Sequence, residues 1–289
     1  VQASQNAASA RDKSDRGEAE IVIRPLETSL TADLAETWRY RRLLGAMSLR
    51  QFREEYAGSW LGWLWVLARP LTMLAVFTVF KRLADAQVGE NMPYPLYLYS
   101  GLILWFFFIA SVELAAGSLE RDAGLIRKVY FPRLVSPLAA VGGELLALAV
   151  TAAPLIPIMI WFGVHPGWWM LALPALVVQM MLLIVGVGAL FSVLSLQGGD
   201  WRRGLTLVLY IGLFLSPVIY APEMIPENAR AIYHLNPMVG SLLAFRAMLV
   251  DGVAFPIEAW AYSWAVSVAA FIVGMLAFHR FERDMLDRL

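Results

Sequence analysis

The sequence predicts an all-α membrane protein with six transmembrane helices, an N-terminal amphipathic helix at the interface and re-entrant external helices between spans five and six. Three observations predict it: six long apolar runs, Lys and Arg gathered at one set of their ends, and a composition too apolar for a water-soluble chain of this size. Of the 289 residues 59% are hydrophobic and only 16% charged, and the mean hydropathy is +0.61. A helix needs roughly 20 consecutive apolar residues to cross the hydrocarbon core. Runs of that kind lie at about 61–83, 96–119, 138–163, 169–195, 204–221 and 260–279.

Residues 1–20 carry no aromatic and almost no large apolar side chain, so 1–33 is expected to be a largely disordered cytoplasmic tail. Its Ala/Ser/Gln opening lacks the basic start, apolar core and cleavage site of a secretory signal, so the first span is expected to direct insertion. Residues 34–289 form the transmembrane domain. It begins with an interface helix over 34–58, in which Trp38, Gly45, Leu49, Phe52 and Tyr56 fall near one face and Arg42, Arg50, Arg53 and Glu54 flank it. That helix either lies along the cytoplasmic leaflet or packs on the protein's own cytoplasmic ends. Trp60, Trp63 and Trp65 follow as a headgroup-level aromatic belt.

Between spans two and three, Leu125, Ile126, Val129 and Tyr130 form a short apolar stripe opposite Arg127 and Lys128, and Pro132 is expected to end the helix. The stripe fits a docking surface for a soluble partner, and an ordinary solvated loop is the alternative. Between spans five and six, 238–250 is strongly apolar, yet at about 1.5 Å per residue it reaches only about 20 Å. Asn236-Pro237 and Asp251-Gly252 fence it with turn signals. Two short helices that dip into the outer leaflet and return are expected there, which backbone tolerates where protein or an aqueous cavity covers it.

The basic residues set the orientation. Those before the first span, including Arg39, Arg41, Arg42, Arg50 and Arg53, share a side with Arg121, Arg127, Lys128, Arg133, Arg202, Arg203, Arg280, Arg283 and Arg288; only Lys81, Arg82, Arg230 and Arg246 fall opposite. An even number of spans places both termini in the cytoplasm. Arg69, Glu113 and Glu144 lie inside spans, each about 10 Å from the cytoplasmic boundary. Intramembrane charge is costly, so Arg69 either neutralises Glu113 or Glu144 or snorkels to the headgroups.

Motifs for chemistry are absent. The sequence contains no G-x-x-x-x-G-K-[ST] phosphate loop, no H-E-x-x-H zinc motif and no G-x-S-x-G nucleophile turn. There is no cysteine, and the three histidines, His165, His234 and His279, have no metal-binding spacing, so no metal site or cofactor is expected in this chain. Nucleic acid is not an expected partner. Aromatic side chains are plentiful instead: Tyr97 and Trp105 on span two, and Tyr210, Phe214 and Tyr220 along span five, can stack on sugar rings or acyl chains as they pass. Interface anchoring and lipid contact account for them equally.

The order of four motifs resembles a known family. The lead-in Tyr56-Ala57-Gly58-Ser59-Trp60-Leu61-Gly62-Trp63-Leu64-Trp65 with Pro70 beyond, then Leu125-Ile126-Arg127-Lys128-Val129-Tyr130-Phe131-Pro132-Arg133, then Ser216-Pro217-Val218-Ile219-Tyr220, then Leu235-Asn236-Pro237 with Arg246 and Gly252, is similar to the permease subunits of ABC exporters for polysaccharide and polyol phosphate. The longer lead-in and the Tyr-Phe-Pro-Arg loop look more like O-antigen exporters than capsule ones. Two positions depart from the family's usual pattern: Glu54-Glu55 where a basic residue often precedes the Tyr, and Gly199-Asp200 where Arg-Asp is common.

The resemblance implies the type-2 ABC exporter permease fold, a homodimer in the bacterial inner membrane, and two copies of a separate ATPase that carries the ATP and Mg. It implies coupling through 120–132, with Leu125, Ile126, Arg127, Lys128 and Tyr130, and through Arg50 and Arg53 of the lead-in helix. It further implies a pore formed mainly by spans one and five in contact with membrane lipids, an external gate including Asn236, Pro237 and Arg246, and a lipid-linked polysaccharide as substrate. Capsule or teichoic acid export is the alternative within the family. From other classes stand a membrane-embedded polymer-modifying transferase and an ion-coupled flippase, though the inverted repeats and broken helices of the latter are not found.

Overall fold

The computed structural model describes residues 30–56, 59–84, 92–226, 233 and 235–285, and these are helical with no strand. Residues 1–29, Arg230, His234 and Arg288 lie outside the described residues. The lead-in comprises two helices, α1 (Leu30–Arg39) and α2 (Arg41–Tyr56), broken at Tyr40. After a 3-10 turn at Gly62–Leu64 come α3 (Trp65–Ala84), α4 (Tyr94–Ala116), α5 (Ser118–Ile126), α6 (Val135–Ala152), α7 (Leu155–Phe162), α8 (Leu173–Gln197), α9 (Gly199–Leu215), α10 (Pro237–Leu249) and α11 (Ile257–Met285).

Among the described residues four segments are long and apolar enough to cross a membrane: Tyr94–Ala116, Val135–Phe162, Trp168–Gln197 and Ile257–Phe281. They correspond to expected spans two, three, four and six. The runs expected as spans one and five form α3 and α9, which fall short of that standard. α9 has 17 residues, a rise of about 25 Å, and α3 carries Arg69, Lys81 and Arg82 within its 20 residues.

Backbone chemistry sets the element ends. Pro95 sits in the first turn of α4, where its missing N–H is one of the unpaired donors anyway. The second span stops at Ala116 rather than near 119, because the chain turns at Gly117, whose N–H donates to the Glu113 carbonyl at 3.1 Å, and restarts as α5. Pro154 has no N–H to continue the ladder and divides the third span into α6 and α7. Gly163 ends α7 at φ 65°, a left-handed conformation that glycine adopts without steric cost. α5 ends at Ile126, six residues before Pro132, the expected stop; the bulky run Val129-Tyr130-Phe131 leads into that proline, and a residue before proline is steered away from helical geometry.

Of the two short external helices expected within 222–259, one is α10. Between 222 and 236 the described residues hold the 3-10 turn Pro222–Met224, while 227–232 and 234 lie outside them. Asn236 caps α10 by accepting from the Met238 N–H at 3.0 Å, and Pro237 occupies the first turn. Its residues Met238–Leu249 are nearly all buried, so its apolar character serves packing within the protein.

α4 is the central helix. It is hydrophobic on every side, as a helix enclosed by others must be: Leu96, Leu98, Tyr99, Leu102, Ile103, Ile109 and Val112 are all fully buried, among α3, α6, α8, α9 and α10. The Tyr99 hydroxyl donates to the Thr151 carbonyl at 2.8 Å, tying it to α6. α8 packs most extensively on α11, and α2 lies against α6. At the end away from the basic residues, Trp168, Trp169 and Phe255 stack with ring centroids 4.0 and 4.1 Å apart, and Trp260 meets Phe255 edge-on at 5.2 Å. Trp60 and Trp65 are exposed at the basic end.

Candidate functional site

α5 projects from the basic end as a braced arm. Asp122, almost wholly buried, faces Arg50 of α2 (Nη2 to Oδ1, 3.7 Å), and Arg50 also meets Glu54 at 3.4 Å. On the other side Arg202 of α9 reaches Glu120 at 3.4 Å. That approach depends on Gly117, where a Cβ would stand 2.9 Å from the Arg202 guanidinium carbon. Burial of the Arg121 guanidinium on the same arm pushes it below the ordinary arginine range. The exposed Arg202–Glu120 pair contributes about 0.2–1 kcal/mol, whereas Arg50 serves a buried carboxylate. Arg202→Ala is therefore expected to lower stability by less than about 1 kcal/mol and Arg50→Ala by more, while hydrogen exchange across Ser118–Ile126 quickens. Unchanged exchange would mean the pairs do not brace the arm.

The apolar stripe read from the sequence divides. Leu125 and Ile126 pack on Met47, Phe131, Val135 and Ala139. Arg127 and Lys128 are exposed beyond them, as are Val129 and Tyr130, Tyr130 at 78%. Arg53 is exposed on α2.

A cavity of about 570 Å³ opens between α3, α4 and α6 toward the same end, and both Arg69 and Glu144 line it. The Arg69 guanidinium lies over the Phe106 ring, 5.7 Å from its centroid. Among the described residues Arg69 forms no direct ion pair with Glu113 or Glu144. Glu144 feels Arg69 at longer range and has Glu55 as a second charged neighbour, while Glu113 is not part of the lining.

A second, largely apolar cavity of about 1060 Å³ lies between α4, α8 and α9. Trp105 and Tyr220 line it, with Phe108, Phe191 and Trp201. Tyr210 and Phe214 do not. α9 turns Leu205, Leu209 and Leu213 inward and leaves Tyr210 and Phe214 exposed on its outer face. Tyr97 is buried elsewhere, in a knot at the far end of the bundle.

That knot centres on Arg246 of α10, only 6% exposed. Its guanidinium carbon stands 3.4 Å from the Tyr97 ring centroid, and Nη2 donates to the carbonyls of Tyr97 (3.1 Å) and Val218 (3.3 Å). The Tyr97 hydroxyl in turn donates to the Tyr220 carbonyl at 2.7 Å. Asn236 Nδ2 donates to Ser216 Oγ at 2.7 Å, pinning the start of α10 to the end of α9. The sequence reading placed Asn236, Pro237 and Arg246 together; the structure joins Tyr97 to them rather than to Trp105.

Sequence reasoning missed a polar cluster between α8, α10 and α11. Gln179 Nε2 donates to Ser267 Oγ at 2.7 Å, Ser241 donates to Gln179 Oε1 at 2.9 Å, and Ser263 donates to the Pro237 carbonyl at 2.6 Å. A lone amide in the middle of an apolar span was the available signal, since a buried amide in lipid needs partners. Among the described residues no three His, Asp or Glu side chains stand together as a metal site.

Four helices able to span a membrane, with α3 and α9 closing two cavities against them, define a multi-pass α-helical membrane protein. The chain belongs to the ABC-2 type transporter family, which it matches over residues 42–250. It is similar to the O-antigen export system permease protein RfbA of Klebsiella pneumoniae, 29% identical over 73% of this chain and 81% of that protein. The protein of the same name from Myxococcus xanthus is 26% identical, over 75% of this chain and 83% of its own length. The polysialic acid transport protein KpsM of Escherichia coli is 23% identical, over 83% of this chain and 94% of its own length.

Proposed function

We propose that the chain is the permease subunit of an ATP-driven exporter that moves a lipid-linked polysaccharide of O-antigen type from the cytoplasmic leaflet across the bacterial inner membrane. It works as a homodimer beside two copies of a separate ATPase, which carries the ATP and Mg. α3 and α9 complete six spans, and both termini are cytoplasmic. The observation that carries the reading is the arm: α5 ends in an exposed Arg127-Lys128-Val129-Tyr130 tip, held from both flanks by Arg50 and Arg202, at the end where the basic residues gather. Such a tip can transmit movement from a soluble partner into α4 and α6. The names of the O-antigen relatives support the substrate class.

Exposed apolar faces support the dimer. Val76, Val79 and Phe80 of α3 and Leu207, Ile211 and Phe214 of α9 are each 49% or more exposed in the single chain. In a bilayer such faces meet lipid or a second copy, and a pore between two copies would place Tyr210 and Phe214 on its wall. Trp105 and Tyr220 line the apolar cavity behind that wall. Asn236, Pro237 and Arg246 then form the external gate.

Proteoliposomes holding the chain alone should hydrolyse no ATP, and hydrolysis should appear with the partner ATPase. ATP turnover by the isolated chain would refute the reading. Tyr130→Ala combined with Lys128→Glu should abolish most polymer-stimulated ATP turnover while changing thermal stability by no more than about 0.5 kcal/mol, the usual effect of surface substitutions. The similarity to KpsM favours capsule export as the second reading. Chemical analysis of the surface polymer lost on deletion of the chain separates the two.

A further inference from the structure

The cavity between α3, α4 and α6 has a lining that passage of ions or lipid does not explain. Glu144 is 6% exposed, yet it lines the open space. A buried carboxyl group needs hydrogen-bond partners, and the lining around it brings together a second carboxyl group, Glu55, and the Arg69 guanidinium. Arg69 acts on it only at longer range. The same wall carries aromatic faces, Trp65 and Phe106, and the Thr72 hydroxyl. At about 570 Å³ the space falls within the roughly 300–1,000 Å³ of small-molecule sites.

Three ligand classes can be weighed against this lining. A phosphate or other anion would meet two carboxylates and only Arg69 in its favour. A divalent cation would gain two carboxylates, too few for a site that wants six or more oxygens or an octahedral shell, and would be repelled by Arg69. A saccharide ring fits all the groups. Its hydroxyls donate to carboxylates, its oxygens accept from a guanidinium, and its CH face covers an aromatic ring.

We infer that this cavity is a saccharide-binding subsite, in which Glu144 and Glu55 accept hydrogen bonds from sugar hydroxyls, Arg69 donates to sugar oxygens, and Phe106 and Trp65 stack on the ring. The assignment rests on the export reading and deepens it: the subsite opens at the cytoplasmic end, where the head of a lipid-linked glycan would first meet the permease. It is distinct from the apolar cavity lined by Trp105 and Tyr220.

Photocrosslinking in the cells that make the native polymer tests it. Benzoylphenylalanine replaces Met73, which lines the cavity, and in a separate strain Ile160, which is exposed on α7. After irradiation the permease is purified with its ATPase and stained for covalently attached carbohydrate by periodate oxidation. Carbohydrate is expected on the Met73 variant and not on the Ile160 variant, and adding Glu144→Gln should reduce it about tenfold, the weakening of a hydrogen bond whose acceptor loses its charge. If Glu144→Gln does not accumulate, Arg69→Gln, on the more exposed α3, takes its place with the same expected loss.

Labelling of Met73 no stronger than Ile160, in cells that still display polymer, overturns the subsite and leaves the export reading intact. Labelling that survives both Glu144→Gln and Arg69→Gln also overturns it, because the charged groups would then play no part. Surface polymer unaffected by deletion of the chain removes the export reading, and the subsite falls with it.

Discussion

Replacing Arg246 by methionine is expected to destabilise the protein by about 3 kcal/mol or more, from the loss of a buried cation–π contact and of hydrogen bonds made by a charged donor. That is a large share of the roughly 5–15 kcal/mol margin of a folded chain. Methionine preserves the unbranched apolar stem of the side chain. It cannot donate to the Tyr97 and Val218 carbonyls, so the Val218 carbonyl loses its donor and the Tyr97 carbonyl, which Ser100 also serves, loses its tie to α10. Because the Tyr97 ring under the guanidinium also holds the Tyr220 carbonyl through its hydroxyl, loosening Arg246 loosens the end of the α9 connection as well. Arg246→Lys should be intermediate, since a compact ammonium keeps the charge but not the planar fork that stacks and donates together. The same knot can be disturbed from α4. A Cβ at Gly101 would stand 2.7 Å from Arg246 Nη2 and 3.2 Å from the Val218 backbone, so Gly101→Ala should lower the unfolding temperature in the same direction. Thermal unfolding in detergent checks all three, and an Arg246→Met protein that melts with the wild type would show that the knot contributes nothing.

The sequence made four spans plain because nothing but a membrane helix uses some 20 apolar residues in a row. It was weaker on α3 and α9, where Arg69 and Lys81 or Asp200, Arg202 and Arg203 interrupt the apolar run. Breaks inside runs were also hidden. Gly117 and Pro154 look like ordinary small or apolar punctuation until the ladder is seen to stop there.

Depth was legible where rotation was not. Residue spacing placed Arg69, Glu113 and Glu144 at one level, but only the helix faces decide that Arg69 and Glu144 share a cavity and Glu113 does not. The direction in which each aromatic residue faces was hidden for the same reason. On a helix apolar all round there is no polar face to fix the azimuth, so Tyr97 and Trp105, eight residues apart, go to different neighbours, while Tyr210 and Phe214 share the outer face of α9. Glu55 was invisible as a cavity residue because it belongs to the lead-in helix and enters the site only by tertiary packing.

Gly274→Val should be among the most damaging single changes in the chain. α8 and α11 approach so closely at Gly186, Ala270 and Gly274 that a Cβ at Gly274 would overlap the Gly186 carbonyl, and one at Gly186 would stand 2.5 Å from the Ala270 carbonyl. Both obstacles are backbone, which cannot swing aside as a side-chain tip can. In a bilayer the lipid tails are as apolar as leucine, so helices hold together by close packing and interhelical hydrogen bonds rather than by a hydrophobic force. Here the two are coupled. The Gln179 to Ser267 bond of 2.7 Å spans the same pair of helices, and Ser241 extends it to α10 at 2.9 Å, so a helix pushed outward loses contact and hydrogen bonds together. Overpacking of an ordinary core costs about 1–3 kcal/mol; the cost at Gly274 should exceed that range and show as failure to accumulate in the membrane. Gln179→Leu should weaken the same joint less, because it removes the polar tie and leaves the backbones in contact. Gly45→Ala on α2, with nothing within 4 Å of the added Cβ, should be neutral or stabilising by up to about 1 kcal/mol through helix propensity. The decisive comparison is membrane level and melting temperature across the three. If Gly274→Val accumulates and melts like Gly45→Ala, the close α8–α11 approach is not what holds the bundle.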